Sequence, residues 1–184
     1  MLQTALTFDD VLLVPKFSSI VSRSEVDLSL NLDPSIQLEL PVISSPMDTV
    51  TESEMAFAMS KAGGLGIIHR YNSEDQQMEM VFSAKKMGAK YVGAAIGTTG
   101  DWLSRTQNLI EAGVDIVCVD VAHGHHEDVR NVITKLKLLF PALHIMAGNV
   151  ATGKGFQDLS EWGADSIRVG IGGGSICLSW SISW

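Results

Sequence analysis

The stretch 91–121, YVGAAIGTTGDWLSRTQNLIEAGVDIVCVDV, contains a complete strand–helix–strand unit. Two short apolar runs, Tyr91–Ile96 and Ile116–Val121, flank a helical pattern that Asp101 caps and that ends at Gly113. Both runs are almost continuously apolar instead of alternating, which is typical of parallel strands covered on both faces. The stretch therefore predicts a βαβ unit and, with it, a parallel sheet.

The same alternation continues in both directions along the chain. The other predicted strands are Pro41–Ser45, Leu65–His69, His144–Ala147 and Ser166–Val169. The other predicted helices run from Thr49 or Thr51, where T-E-S-E resembles a capping box, to Gly63–Gly64; from Ser73 to Gly88; over His126–Phe140; and from Thr152 to Gly163. Six strands and five helices predict an α/β fold, preceded by an arm over residues 1–40 with short strands at Val11–Val14 and Val26–Leu30. No G-x-G-x-x-G follows the first strand, which disfavours a Rossmann sheet, but the pattern alone leaves barrel and open sheet as alternatives.

Composition excludes several classes of protein. The 184 residues suffice for a single domain over 1–184 but are few for a (β/α)₈ barrel, which takes about 250. A mean hydropathy of +0.20 excludes intrinsic disorder, and a net charge of −8 disfavours nucleic-acid binding. Two cysteines, no signal-peptide pattern and no apolar run of roughly 18 residues predict a cytoplasmic protein that does not enter a membrane.

Polar and glycine residues follow the predicted strands, at the edge where parallel α/β folds bind ligands. In the stretch 170–177, four glycines within five residues precede Cys177. Such a backbone is suited to phosphate or a cation, although an ordinary turn is equally compatible. Cys177 is either a nucleophile or a buried apolar residue, and Asp120 either accepts a ribose hydroxyl or caps a turn. The spacing of His123, His125 and His126 matches no strong zinc motif and favours a solvated, helix-capping loop.

Six motifs together resemble the IMP dehydrogenase/GMP reductase family. They are T-F-D-D-V-L-L-V-P (7–15), S-S-P-M-D-T-V-T-E (44–52), G-G-L-G-I-I-H-R (63–70), A-H-G-H (122–125), A-G-N-V-A-T (147–152) and R-V-G-I-G-G-G-S-I-C (168–177). The resemblance runs in order from about residue 6 to residue 177 and implies a (β/α)₈ barrel, incomplete here at about six βα units. It also implies a purine nucleoside monophosphate as substrate, NAD or NADP as cofactor, a K⁺ ion and a homotetramer.

The resemblance assigns roles to individual residues. Cys177 would be the nucleophile that attacks C2 of the purine, and Ser179 would supply a hydroxyl two positions beyond it. The implied substrate-binding residues are Ser45, Met47, Asn149, Gly174 and Ser175, of which Ser175 with the preceding glycines would hold the phosphate. The implied cofactor-binding residues are Asp120, Ala122, Arg168, Gly170 and Gly172, with Asp120 and Asn149 on the nicotinamide-ribose side. The carbonyls of Gly172, Gly174 and Cys177 would bind K⁺.

The two branches of the family are harder to separate. T-F-D-D-V-L-L-V-P, S-S-P-M-D and A-H-G-H look like the dehydrogenase, whereas S-R-S-E-V-D-L, C-V-D-V-A and I-M-A-G-N-V look more like the reductase. Only Gly88–Lys90 separates the second helix from the third strand, where many dehydrogenases insert two CBS modules. We favour NAD-dependent oxidation of IMP to XMP, with NADPH-dependent conversion of GMP to IMP as the alternative.

The sequence departs from the family after Cys177. The family continues with a Thr-Thr-Arg-like stretch, but this chain has the atypical tail L-S-W-S-I-S-W (178–184) and lacks the last two βα units. We therefore expect no significant turnover by this chain alone. Two alternatives from other classes are an inactive fragment or pseudoenzyme that acts only with a partner chain, and a nucleotide-binding module without redox chemistry.

Overall fold

A parallel sheet with helices between its strands forms the body of the chain in a computed structural model, which describes residues 10–170. The strands are β1 (Leu30–Asp33), β2 (Ile36–Leu38), β3 (Ile43–Ser44), β4 (Leu65–Ile68), β5 (Gly93–Ile96), β6 (Ile116–Asp120), β7 (His144–Val150) and β8 (Ser166–Val169). The helices are α1 (Ser53–Lys61), α2 (Glu74–Lys86), α3 (Trp102–Glu111), α4 (Glu127–Leu139) and α5 (Gly153–Glu161). Strands β3 to β8 lie side by side in sequence order, and each neighbouring pair is parallel. This curled half-barrel confirms the predicted α/β class and the incomplete (β/α)₈ barrel.

The helices begin at the residues that short polar side chains predict. Ser73 forms a capping box with Gln76 at the start of α2. Asp101 accepts a hydrogen bond from the Ser104 amide at 3.0 Å, and Thr152 accepts one from the Gly155 amide at 3.0 Å. These three predicted helix starts are therefore confirmed.

The capping box predicted in T-E-S-E is wrong. Helix α1 begins at Ser53, and its N-cap residue Glu52 makes no side-chain capping bond. The Thr51 hydroxyl instead donates to the Ser45 carbonyl at 2.7 Å, where the side chain is fully buried. A hydroxyl held in this way ties the end of β3 to the start of α1 and is not available to cap the helix.

The sheet is buried on both faces, as continuous apolar strands predict. Alternate residues contribute to two cores. One core lies between the sheet and the helices and includes Val117, Val119, Ile145 and Leu159. The other lies on the concave face and includes Ile67, Ile116, Cys118 and Met146.

The N-terminal arm differs from the prediction. The segments 11–14 and 26–29 form no strand, and the side chains of Leu12 and Leu13 are almost fully exposed. The strands of the arm are β1 and β2, which pair as an antiparallel hairpin. Asp33 fixes the turn between them, because its Oδ1 accepts hydrogen bonds from the amides of Ser35 and Ile36 at 2.6 and 2.9 Å.

The hairpin closes the N-terminal end of the half-barrel. Its Ile36 and Leu38 side chains are buried in the concave core. Asp33 contacts Nδ1 of His144, the first residue of β7, and Nε2 of the same ring lies 2.8 Å from the Ser166 Oγ. We call Asp33, His144 and Ser166 the clasp. Because the His144 side chain is only 1% exposed, the clasp is an internal bond between hairpin and sheet.

The described helices give no indication of a membrane span: none in residues 10–170 has the length and apolar character that crossing a bilayer requires.

Candidate functional site

The clearest polar cluster lies where β6 and β8 end. Arg168 Nη1 is 2.5 Å from Asp120 Oδ1 and 3.6 Å from the Cys118 Sγ. The side chain of Arg168 passes over Gly148 of the intervening strand β7, where an added Cβ would lie 2.7 Å from the Arg168 Cβ. The ion pair between two predicted cofactor-binding residues therefore depends on a glycine between them.

Asn149 joins the ends of β7 and β8. Its Nδ2 donates to the Gly170 carbonyl at 2.8 Å, and its backbone N–H donates to the Val121 carbonyl at 3.0 Å. The side-chain Oδ1 is buried and has no hydrogen-bond partner in the part of the chain that the structure describes. A buried acceptor without a donor is costly, so Asn149 is suited to bind a ligand with an N–H or O–H group.

The loop after β6 is attached to the same strand ends. The Gly124 amide donates to the Asn149 carbonyl at 2.7 Å, and the Val121 amide donates to the Gly148 carbonyl at 3.1 Å. An added Cβ at Gly124 would lie 2.9 Å from the Asn149 oxygen, so only glycine fits this close approach. Ala122 is exposed within this loop, close in sequence to Asp120.

The three histidines of this loop have separate surroundings. His126 is the N-cap of α4, where its Nδ1 accepts from the Asp128 amide at 3.1 Å, which confirms the predicted helix-capping character. His125 Nε2 lies 2.8 Å from Asp158 Oδ2 on α5, and the His125 ring packs against Trp162. Among residues 10–170, no three His, Cys, Asp or Glu side chains are grouped so as to hold a metal ion.

Ser45 and Met47 lie in a turn after β3. The Met47 amide donates to the Ser45 carbonyl at 2.9 Å, and both side chains are exposed to solvent. Strands β3 and β8 are the two edges of the described sheet, and no hydrogen bond in residues 10–170 joins this turn to Asp120, Asn149 or Arg168. The structure thus places Ser45 and Met47 at the same strand-end face, but without a hydrogen bond to these predicted residues in the described chain.

The loop after β4 holds residues to which the sequence assigned no role. The Tyr71 amide donates to His69 Nδ1 at 3.1 Å, so His69 Nε2 carries the proton and donates to Glu52 at 3.3 Å. The next residue, Arg70, has a buried Nε without a hydrogen-bond partner among the described residues. The strand-end position of Arg70 was visible in the sequence, whereas its lack of a partner depends on tertiary contacts.

The other predicted site residues lie outside the described range. They are Gly172, Gly174, Ser175, Cys177 and Ser179, which carry the predicted nucleophile, phosphate and K⁺ roles, together with the tail 178–184. Their roles remain predictions. Gly170, the last described residue, has a φ of +123°, a conformation that favours glycine.

Comparisons with known proteins agree with the motifs. Inosine-5'-monophosphate dehydrogenase of Borreliella burgdorferi is 38% identical over 224 aligned positions, which cover 95% of this chain and 55% of the relative. The enzymes of that name from Cryptosporidium parvum and Bacillus subtilis are 35% and 31% identical, again over 95% of this chain, and cover 53% and 62% of their own lengths. The chain thus spans little more than half of the length of these relatives. The alignment with the Bacillus subtilis protein covers 301 positions, more than this chain contains, so that relative has additional residues within the matched region. The model of the IMP dehydrogenase/GMP reductase domain matches residues 5–183, and the chain therefore belongs to this family.

Proposed function

We propose that the chain is a purine-nucleotide oxidoreductase of the type that oxidises IMP to XMP with NAD, and we expect the chain alone to bind the nucleotide without significant turnover. Support comes from the relatives, which are named inosine-5'-monophosphate dehydrogenases, and from the strand-end site. The observation that carries the proposal is the buried Asn149 Oδ1, which lacks a donor among the described residues. Nucleotides supply both hydroxyl and N–H donors, so a bound nucleotide would satisfy this acceptor.

The described residues fit the binding of a dinucleotide. Asp120 is held at 2.5 Å by Arg168, so its carboxylate is fixed in position and suited to accept a ribose hydroxyl. Ala122 follows Asp120 by two residues, and the Gly170 carbonyl accepts from Asn149; because these two residues have a small side chain or none, they would leave room for a cofactor. The exposed Ser45 and Met47 would contact the purine nucleotide.

The chemical step is assigned to Cys177. Its sulfur would form a bond to C2 of IMP while a hydride leaves C2 with both electrons of the C–H bond. When NAD is bound, its nicotinamide ring supplies the acceptor for that hydride. Water then displaces the sulfur from C2, so that IMP, NAD⁺ and water give XMP, NADH and a proton. Ser179 would contribute a hydroxyl near the sulfur, and the carbonyls of Gly172, Gly174 and Cys177 would hold K⁺.

The test is protection of Cys177 from alkylation. Burial raises the pKa of the Cys118 thiol to about 11, so Cys118 should stay unmodified in the folded chain and serve as an internal control. We expect IMP to slow the alkylation of Cys177 by iodoacetamide and inosine to protect less. The Cys177→Ser variant should bind IMP and show no labelling.

Absorbance of the reduced nicotinamide separates the two branches. IMP with NAD should be the productive pair if turnover is measured, and GMP with NADPH is the competing pair. Turnover with GMP and NADPH only would assign the chain to the reductase branch. The proposal is refuted if neither IMP nor GMP protects Cys177.

A further inference from the structure

The loop after β4 carries a guanidinium that has no ionic partner within the described part of the chain. Arg70 takes part in none of the ion pairs within residues 10–170. Its Nε is buried and makes no hydrogen bond to a described residue. The contrast with Arg168, which is paired with Asp120, is informative, because a chain with a net charge of −8 offers many carboxylates. A partly buried cation that has no carboxylate partner among residues 10–170 is suited to an anionic ligand.

Contacts on two sides fix the guanidinium without using its N–H groups. Arg70 Cζ lies 5.3 Å from the centre of the Tyr71 ring. The guanidinium also lies against Gly97, the residue after β5, where an added Cβ would be 3.2 Å from Nη1. Arg70 is therefore placed at the carboxyl ends of β4 and β5, on the face that carries Asp120 and Asn149.

The loop itself is held by a buried network. The Gln77 side chain is fully buried, and its Nε2 donates to the carbonyls of His69 and Ala95 at 2.9 and 2.8 Å. Its Oε1 accepts from Arg105 Nη1 at 2.8 Å, and Arg105 Nη2 donates to the Asn72 carbonyl at 3.0 Å. The loop is thus ordered in advance, which lowers the entropic cost of binding.

Asn72 adds a second observation in the same loop. Its Oδ1 is buried and has no hydrogen-bond partner among the described residues, as for Arg70 Nε. Buried polar atoms of native proteins are normally paired. The Arg70 donor favours a ligand with acceptor oxygens, whereas the Asn72 acceptor needs an O–H or N–H group, which another part of a nucleotide would supply.

We propose that Arg70 binds a phosphate group of the bound nucleotide. A planar guanidinium can donate two parallel hydrogen bonds to phosphate oxygens, and no carboxylate of residues 10–170 forms an ion pair with Arg70. The inference deepens the proposed function and rests on it for the identity of the ligand. Either the purine monophosphate or the pyrophosphate of the dinucleotide supplies the group, and the experiment separates the two.

The experiment measures dissociation constants by calorimetry for inorganic pyrophosphate, IMP and NAD, each at low and high salt. Arg70→Met removes the charge and keeps much of the side-chain length. Arg70→Lys keeps the charge but cannot donate two parallel hydrogen bonds as the planar guanidinium does. The control is Arg130→Met, since Arg130 is an exposed α4 residue paired with Glu127. We expect Arg70→Met to lower the affinity for the ligand that contacts Arg70 by roughly 10- to 100-fold and Arg70→Lys to lower it less. The control should bind every probe as the wild type does. Loss confined to IMP, or to NAD, identifies the source of the phosphate.

Gly97→Ala gives a second variant in case Arg70→Met does not fold. It keeps all charges but adds a Cβ against the guanidinium, and it should weaken phosphate binding severalfold. Binding of all three probes within twofold of wild type in both variants would overturn the proposal, as would the absence of any binding by wild type. If pyrophosphate binding depends on Arg70 but IMP does not protect Cys177, the phosphate site is supported and the proposed function is refuted. Protection of Cys177 by IMP, together with unchanged binding of all three probes by both variants, would support the proposed function and refute the phosphate site at Arg70.

Discussion

Replacing Asp33 with Asn should destabilise the chain by about 2 kcal/mol at pH 7, because the Asp33 carboxylate both fixes the hairpin turn and binds His144 in the clasp. Partial burial alone would raise the pKa of Asp33. Hydrogen bonds from the Ser35 side chain and amide and from His144 outweigh burial and lower the pKa from 3.8 to about 2. The Ser35 hydroxyl lies 2.7 Å from the carboxylate. Since one pKa unit corresponds to 1.36 kcal/mol, the difference amounts to about 2 kcal/mol in favour of the folded state.

The pH dependence has a defined sign. A carboxyl group whose pKa is lower in the folded state stabilises that state above its unfolded pKa of 3.8. The stabilisation is lost as the pH falls through about 2, and roughly half of it is gone at pH 3. Asp33→Asn cannot ionise, so its deficit relative to wild type should be constant above about pH 5 and should shrink towards pH 3.

Urea unfolding followed by tryptophan fluorescence at pH 7, 5, 4 and 3 measures this deficit. The matched control is Asp27→Asn, because Asp27 is an exposed carboxylate of the same arm that accepts a hydrogen bond from the Ser29 amide but forms no ion pair with a residue of the described chain. We expect the control to unfold close to wild type at every pH. A deficit of Asp33→Asn that does not change between pH 7 and pH 3 would refute the electrostatic reasoning and would show that the asparagine disturbs the turn instead.

Two further substitutions test the strand-end site. Gly148→Ala should destabilise the chain by about 1–3 kcal/mol in urea unfolding, because the new Cβ would lie 2.7 Å from the Arg168 Cβ. In the control Gly153→Ala, the new Cβ meets no atom within 4 Å, so the free energy of unfolding should change by less than about 1 kcal/mol. Equal effects of the two substitutions would contradict the packing argument. Gln77→Leu should lower the free energy of unfolding by about 3 kcal/mol, since it leaves two strand-end carbonyls and Arg105 without their hydrogen-bond partner. The control Gln157→Leu, on the exposed face of α5, should leave the free energy of unfolding nearly unchanged. An unchanged stability of Gln77→Leu would show that water replaces the side chain.

The sequence predicted the sheet well because each strand is a short apolar run bounded by glycine or by a capping residue. The boundaries of α2 and α3 were readable from Ser73 and Asp101, whose side chains bond within their own helices. Such signals are local and need no tertiary information. For the same reason, the strand-end positions of Asp120 and Asn149 could be located before the structure was known.

The hairpin was missed because its strands are short and their burial depends on distant residues. The apolar runs at 11–14 and 26–30 attract a strand prediction, but residues 11–14 have no pairing partner in the described chain. The D-P-S turn at 33–35 was the available signal, flanked by Leu32 and Ile36. Its meaning depends on His144, more than a hundred residues away, which no local pattern reveals.

The same ion pair occurs twice at the N-terminal ends of the strands, and each copy is marked by a short sequence motif. Lys85 Nζ lies 3.0 Å from Asp115, whose carboxylate also accepts from the Val92 amide at 2.7 Å. Lys137 pairs with Asp165 at 2.6 Å, and that carboxylate accepts from the Ile145 amide at 2.7 Å. In the first pair a lysine of α2 binds the aspartate just before β6, and in the second a lysine of α4 binds the aspartate just before β8. The A-G-V-D and W-G-A-D stretches at 112–115 and 162–165 were therefore signs of the same two-strand unit used twice.

The site could not be predicted beyond its outline, because its decisive contacts cross from one strand to another. Arg168 reaches Asp120 only because β7 carries glycine at position 148, directly between them. In the sequence the three residues belong to separate motifs, and parallel register alone brings them together: Asp120 pairs with Gly148, and Gly148 with Arg168. The close approach also explains why β7 has a residue without a side chain at position 148. Cofactor binding at this edge should thus depend on Gly148 as strongly as on the charged residues on either side of it.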